Sequence, residues 1–134
     1  MHHIYETNAF VLKNTPHGEA DALLHLFTEE LGLVVATAQG IRYEKSKLRF
    51  ATQKLSYAHV SLVRGKGIWR LTNAVPIESN FTDLKQEIVL SITRILRLVE
   101  RLVAGESGDQ KLFSIVVSGV NFLKSISERE GYNI

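Results

Sequence analysis

Apolar residues in this chain repeat with two different periods, and the change falls near residue 80. Up to there they come in short alternating runs, the mark of half-buried strands. Beyond it they return every third or fourth position, the mark of a helix with one buried stripe. Glycine is spread over both parts, but Pro16 and Pro76 both lie in the first. A chain of 134 residues that switches period once is expected to hold a β unit over 1–80 and a helical unit over 81–134.

Five strands are predicted in the first part: 5–13, 22–28, 33–39, 54–63 and 68–77. Ala58, Val60 and Leu62 share one face of the fourth run, with Tyr57, His59 and Ser61 on the other. In the fifth, Trp69, Leu71, Val75 and Ile77 are expected on the buried face, alternating with Arg70, Thr72 and Ala74. Arg64-Gly65-Lys66-Gly67 between these runs suits a hairpin. A longer basic connection, 41–53, separates the third run from the fourth. Five strands with that spacing fit an OB-type barrel, though a small sandwich has a similar pattern.

In the second part Leu84, Ile88, Ile92, Ile95, Val99 and Leu102 fall within about 80° of one another on a helical wheel. Asn80 or Thr82 is expected to cap this helix, with Asp83 in its first turn and Gly105 near its end. A second stripe runs through Leu112, Ile115 or Val116, Val120, Leu123 and Ile126. The short link between them predicts antiparallel neighbours. The fold class is therefore a five-stranded barrel followed by a short antiparallel helical extension.

Composition narrows the function. With no cysteine, disulfide scaffolds, thiol enzymes and cysteine-built zinc sites are excluded, and a reducing cytosol fits. His17-Gly18-Glu19 looks like half of a zinc deaminase signature, but the cysteine pair that chemistry needs is missing. Gly65-Lys66-Gly67 is too short for a phosphate loop. The five histidines are scattered, and nothing argues for an enzyme, a metal or a cofactor. The longest uncharged apolar-rich stretches, 31–41 and 112–123, fall short of the roughly 20 residues a membrane span needs.

The total charge of +2 hides a strong asymmetry. Between Ala38 and Thr72 stand eight basic residues (Arg42, Lys45, Lys47, Arg49, Lys54, Arg64, Lys66 and Arg70) and one acid, Glu44. That window carries +7 and the remainder of the chain −5. A basic, glycine-bearing connection beside hairpin strands is what a groove tracking a phosphate backbone requires, because each neutralised phosphate releases a counterion. The candidate phosphate contacts are Arg42, Lys45, Lys47, Arg49, Lys66 and Arg70, with the Ser46 hydroxyl as an added donor. Of the aromatics among them, Phe50 and Trp69 are expected in the core. Tyr43 and Tyr57 suit a wet boundary, and Tyr43 is the candidate for base stacking. On the first helix Arg94, Arg97 and Arg101 form a stripe, either solvated or in contact with phosphates or an acidic partner. Leu90 and Leu98 lie on the same flank.

Several segments in order carry a resemblance to a known family. They are Ala9-Phe10-Val11-Leu12-Lys13, Gly18-Glu19-Ala20-Asp21, Phe27-Thr28 with Gly32-Leu33, and Ala38-Gln39-Gly40-Ile41-Arg42. Lys45-Ser46-Lys47-Leu48-Arg49 and Gly67-Ile68-Trp69-Arg70-Leu71-Thr72-Asn73-Ala74 complete the series. Together, over residues 8–80, they resemble the N-terminal part of the bacterial DNA repair protein RecO family. The resemblance implies an OB-fold domain followed by a helical domain, binding of single- and double-stranded DNA, and annealing of complementary strands. It also implies a mediator role with RecR in loading the recombinase RecA, in the cytoplasm at the nucleoid. A contact with single-strand-binding protein is implied too, but the family makes it through later helices. Those helices, and the cysteine zinc motif that many members carry there, are missing from this sequence. The alternative is an adaptor whose barrel binds a protein partner through the flank around Leu90 and Leu98, without direct DNA binding.

Overall fold

The computed structural model describes residues 3–41, 47–78, 84–103, 105, 106 and 108–132, with side chains for all of these except Lys47, Glu78 and 127–132. The elements follow the order β1 (Ile4–His17), β2 (Asp21–Thr28), β3 (Gly32–Ala38), α1 (Lys47–Ala51), β4 (Tyr57–Arg64), β5 (Trp69–Glu78), α2 (Gln86–Leu102) and α3 (Gln110–Tyr132). The five strands close into a barrel in the order β1-β2-β3-β5-β4. All pairings are antiparallel except β3 with β5, where Ala36 and Thr37 meet Trp69 and Arg70 in parallel. This is an OB-type barrel followed by helices, as expected from the strand count.

β1 is long enough to serve two neighbours. Ile4–Phe10 pairs with β4, and Ala9–His17 pairs with β2. An extra residue, Leu12, breaks the register between Val11 and Lys13. Neighbouring side chains of a strand point to opposite faces. Here Val11 enters the barrel core, while Leu12 joins a second core outside it. Where the bulge opens the ladder, Leu55 N–H donates to the Val11 carbonyl at 2.7 Å and Val11 N–H to the Ser56 carbonyl at 2.9 Å.

Two apolar clusters result. Alternating residues of all five strands, with Ile41 and Ala51, fill the barrel. Phe10, Phe27, Leu12 and Leu55 on its outer wall meet Ile88, Ile92, Leu96 and Val99 of α2 and Phe113, Val116 and Val120 of α3. Phe10 and Phe27 stand opposite each other across β1 and β2. The Phe113 ring lies 5.7 Å and 5.1 Å from theirs, tilted, a favoured geometry for aromatic pairs.

The structure corrects several expectations. In β5 the buried face runs Trp69, Leu71, then Ala74, while Val75 and Ile77 are exposed. The cause is a register shift against β4: Ser61 pairs with Asn73 and Leu62 with Leu71, so Thr72 is extra and the inward phase flips. Phe50, expected in the core, is 44% exposed. On α1 it is Leu48 and Ala51 that pack on the barrel, and two positions from Leu48 is the far side of a helix. α2 begins at Gln86 with Lys85 at the N-cap, a side chain with no acceptor to offer; Asn80, Thr82 and Asp83 lie outside the described residues. Its buried stripe includes Leu96, whereas Leu102 is exposed in the last turn. In α3 Val116 is buried and Ile115 exposed, and Phe113 is the largest buried side chain.

Candidate nucleic-acid interface

The basic connection is fastened at both ends. At its start the Gly40 N–H donates to Asp21 Oδ1 at 2.8 Å, and Ile41 is buried in the barrel core. At its end α1 seats Leu48 and Ala51 on that core and packs against β5. The buried Thr52 hydroxyl donates to the Leu48 carbonyl at 2.9 Å and closes the helix. Between the anchors, Arg42, Tyr43, Lys45 and Ser46 lie outside the described residues. Lys47 opens α1, and its side chain is not described.

Arg49 is exposed and lines a groove of about 260 Å³ with Asn14, Pro16, Ala22, Ile41 and Gln53. Both described ends of the basic connection, Ile41 and Arg49, therefore border one concavity. Phe50, beside Arg49, presents its ring to solvent. Sequence reasoning missed it. The signal that could have found it is the Leu48/Ala51 spacing, which takes the inward face of a short helix and leaves Phe50 outside.

Lys66 and Arg70 belong to the β4–β5 hairpin. Gly65 N–H donates to the Ile68 carbonyl at 3.0 Å, and Gly67 takes φ of 82°, a conformation glycine adopts without strain. The turn lifts Lys66 into solvent, and Arg70 points outward from β5 opposite Val63. Among the described residues Arg49, Lys66 and Arg70 have no ion-pair partner. Arg64 is different: it bonds Glu106 at 2.7 Å, with its guanidinium 4.9 Å from the centre of the Trp69 ring. Trp69 is 3% exposed, as expected, with Tyr5 edge-on at 5.2 Å. Tyr57 is half-buried and stacks on Phe10 at 4.6 Å. Neither ring is offered to a base. No helix among the described residues is long and apolar enough to cross a membrane.

The fold and its charged connection define an OB-type barrel with a helical extension. Residues 1–80 match the family model described as "Recombination protein O N terminal". The chain belongs to the RecO family. It is 37% identical over 122 residues to the DNA repair protein RecO of Heliobacterium modesticaldum, covering 90% of this chain and 44% of that protein. It is 32% identical over 130 residues to the DNA repair protein RecO of Dehalococcoides mccartyi, covering 96% and 51%. The RecO of Clostridium novyi gives 32% over 124 residues, covering 91% and 48%. The chain thus spans about half the length of the curated relatives it matches.

Proposed function

We propose that this chain binds DNA without catalysing a reaction, holding the backbone of a single strand in recombinational repair. Arg42, Lys45, Ser46, Lys47, Arg49, Lys66 and Arg70 contact phosphates, and Tyr43 stacks on a base. The observation that carries this reading is the pair of anchored basic elements, the 42–49 connection and the β4–β5 hairpin, where Arg49, Lys66 and Arg70 have no acidic partner among the described residues. Annealing follows from the same surface. Bound cations screen the repulsion between two backbones while the bases stay free to pair. A partnership with RecR, and contact with single-strand-binding protein, rest on the family membership.

The test is titration of a fluorescent single-stranded oligonucleotide at several salt concentrations, with the full chain and with K45A/K47A/R49A. Each lost phosphate contact is expected to reduce the log–log salt slope by about 0.7. An unchanged slope and affinity would remove the basic connection from the site. A second reading, an adaptor for a protein partner, has one observation behind it: Leu90 and Leu98 project from α2 into solvent. Partner binding that survives high salt, with no oligonucleotide binding at low salt, would favour it.

A further inference from the structure

A second cationic concavity lies where α2 crosses the barrel. This cleft, about 460 Å³, has a floor of Leu12, Leu55 and Leu96 and a rim that includes Lys13, Lys54, Arg97 and Arg101. The acid on the rim is Glu100, which pairs with Lys13 at 3.4 Å. Thr93 also lines it, with its hydroxyl donated to the Val89 carbonyl at 2.8 Å. Lys54, Arg97 and Arg101 therefore surround the cleft with no acidic partner among the described residues.

Three features of the backbone build this arrangement. Strand alternation turns Leu12 out of the barrel, and the β1 bulge sets Lys13 on the same outer side, beside α2, where it pairs with Glu100. Leu55 takes the left-handed conformation, φ 73°, which a branched side chain adopts at a cost. That turn buries Leu55 against α2 while Lys54 stays exposed at the rim. On α2, Arg97 and Arg101 stand one turn apart, an unfavourable like-charge spacing. Strain and repulsion converge on one concavity, and a bound anion relieves the repulsion.

The cleft also adjoins the groove at α1. Lys13 and Lys54 line the cleft; their chain neighbours Asn14 and Gln53 line the groove. The wall between them is the contact of Asn14 Nδ2 with the Thr52 carbonyl, at 2.7 Å. We infer that a single strand held at the basic connection continues over this wall, and that Lys54, Arg97 and Arg101 bind its next phosphates. Glu100 restrains the site by neutralising Lys13. This inference rests on the single-strand reading above and extends the path from the barrel onto the helical part.

Oligo-dT of increasing length separates the two. The unaltered chain, R97A/R101A, E100Q and K45A/K47A/R49A are titrated at several salt concentrations. For R97A/R101A, binding of the shortest oligonucleotides is expected to be unchanged. Long ones are expected to lose about 1.4 from the log–log slope, two contacts at about 0.7 each. E100Q frees Lys13 and is expected to tighten only the long ones and steepen their slope; because it adds affinity, misfolding cannot imitate it. If the chain binds but neither R97A/R101A nor E100Q differs from it at any length, the cleft is not on the path and the first site stands. If R97A/R101A weakens binding and K45A/K47A/R49A does not, the cleft binds the strand and the basic connection does not. If nothing binds at low salt, both readings fall.

Discussion

Single side chains decide what this surface offers to a base. Phe50 and Trp69 look alike in the sequence, two aromatics among cations, yet one is solvent-facing and the other buried. Strand alternation made Trp69 legible. Phe50 was harder to place, because the one cue to the inward face of its five-residue helix is the Leu48/Ala51 spacing. Phe50→Ala is expected to weaken single-strand binding by about 1–3 kcal/mol, the value of one stacked base, with little change in melting temperature. Binding at full strength would show that the ring does not stack. Thr28 illustrates a quieter role. Its buried hydroxyl donates to the Gly32 carbonyl at 2.8 Å and accepts from Leu31 N–H at 2.9 Å, holding the β2–β3 turn. Thr28→Val keeps the shape and removes both bonds, so denaturant titration is expected to show a loss of about 1–3 kcal/mol.

At the level of elements, most strands and both long helices could be read from periodicity, and their irregularities could not. A bulge needs knowledge of the partner strand's register, which is set by pairing across the barrel rather than by local pattern. Val75 and Ile77 were placed inward for that reason, and Leu12 was not seen as a residue of a second core. The α2 stripe was read correctly at Ile88, Ile92 and Val99. It missed Leu96, four residues after Ile92 and three before Val99, by taking the adjacent, half-buried Ile95 in its place. The β4–β5 hairpin was legible from its glycines, and the structure shows why one of them is required. A Cβ on Gly65 would stand 2.6 Å from the Ile68 carbonyl oxygen, a backbone atom that cannot step aside cheaply. Gly65→Ala is expected to cost about 1–3 kcal/mol in chemical denaturation, as overpacking does, and to displace Lys66. A variant as stable as the parent would mean that the turn relaxes freely.

For the molecule as a whole, the outer wall of the barrel is also the floor of the helical part. Phe10, Phe27, Leu12 and Leu55 are buried by α2 and α3, not by the strands. The +7 window was legible as a candidate site, but the cleft under α2 was not, because Lys13, Lys54 and Arg97 are far apart in sequence and meet only through that packing. Barrel and helices should unfold together. The one tryptophan, Trp69, lies in the barrel core and reports on it alone, while far-ultraviolet circular dichroism follows the helices. Their denaturation midpoints are expected to coincide; separate midpoints would show two independently stable parts.

β1 is the strand on which both cores depend, since Ala9 and Val11 face one and Phe10 and Leu12 the other. Its amide protons from Ala9 to Val11 can reach solvent only when the two packings fail at once. They are expected to be the slowest in the chain to exchange with deuterium, at the rate set by global opening. Nucleic acid bound across the α1 groove and the α2 cleft would slow these protons further, even though it touches none of them.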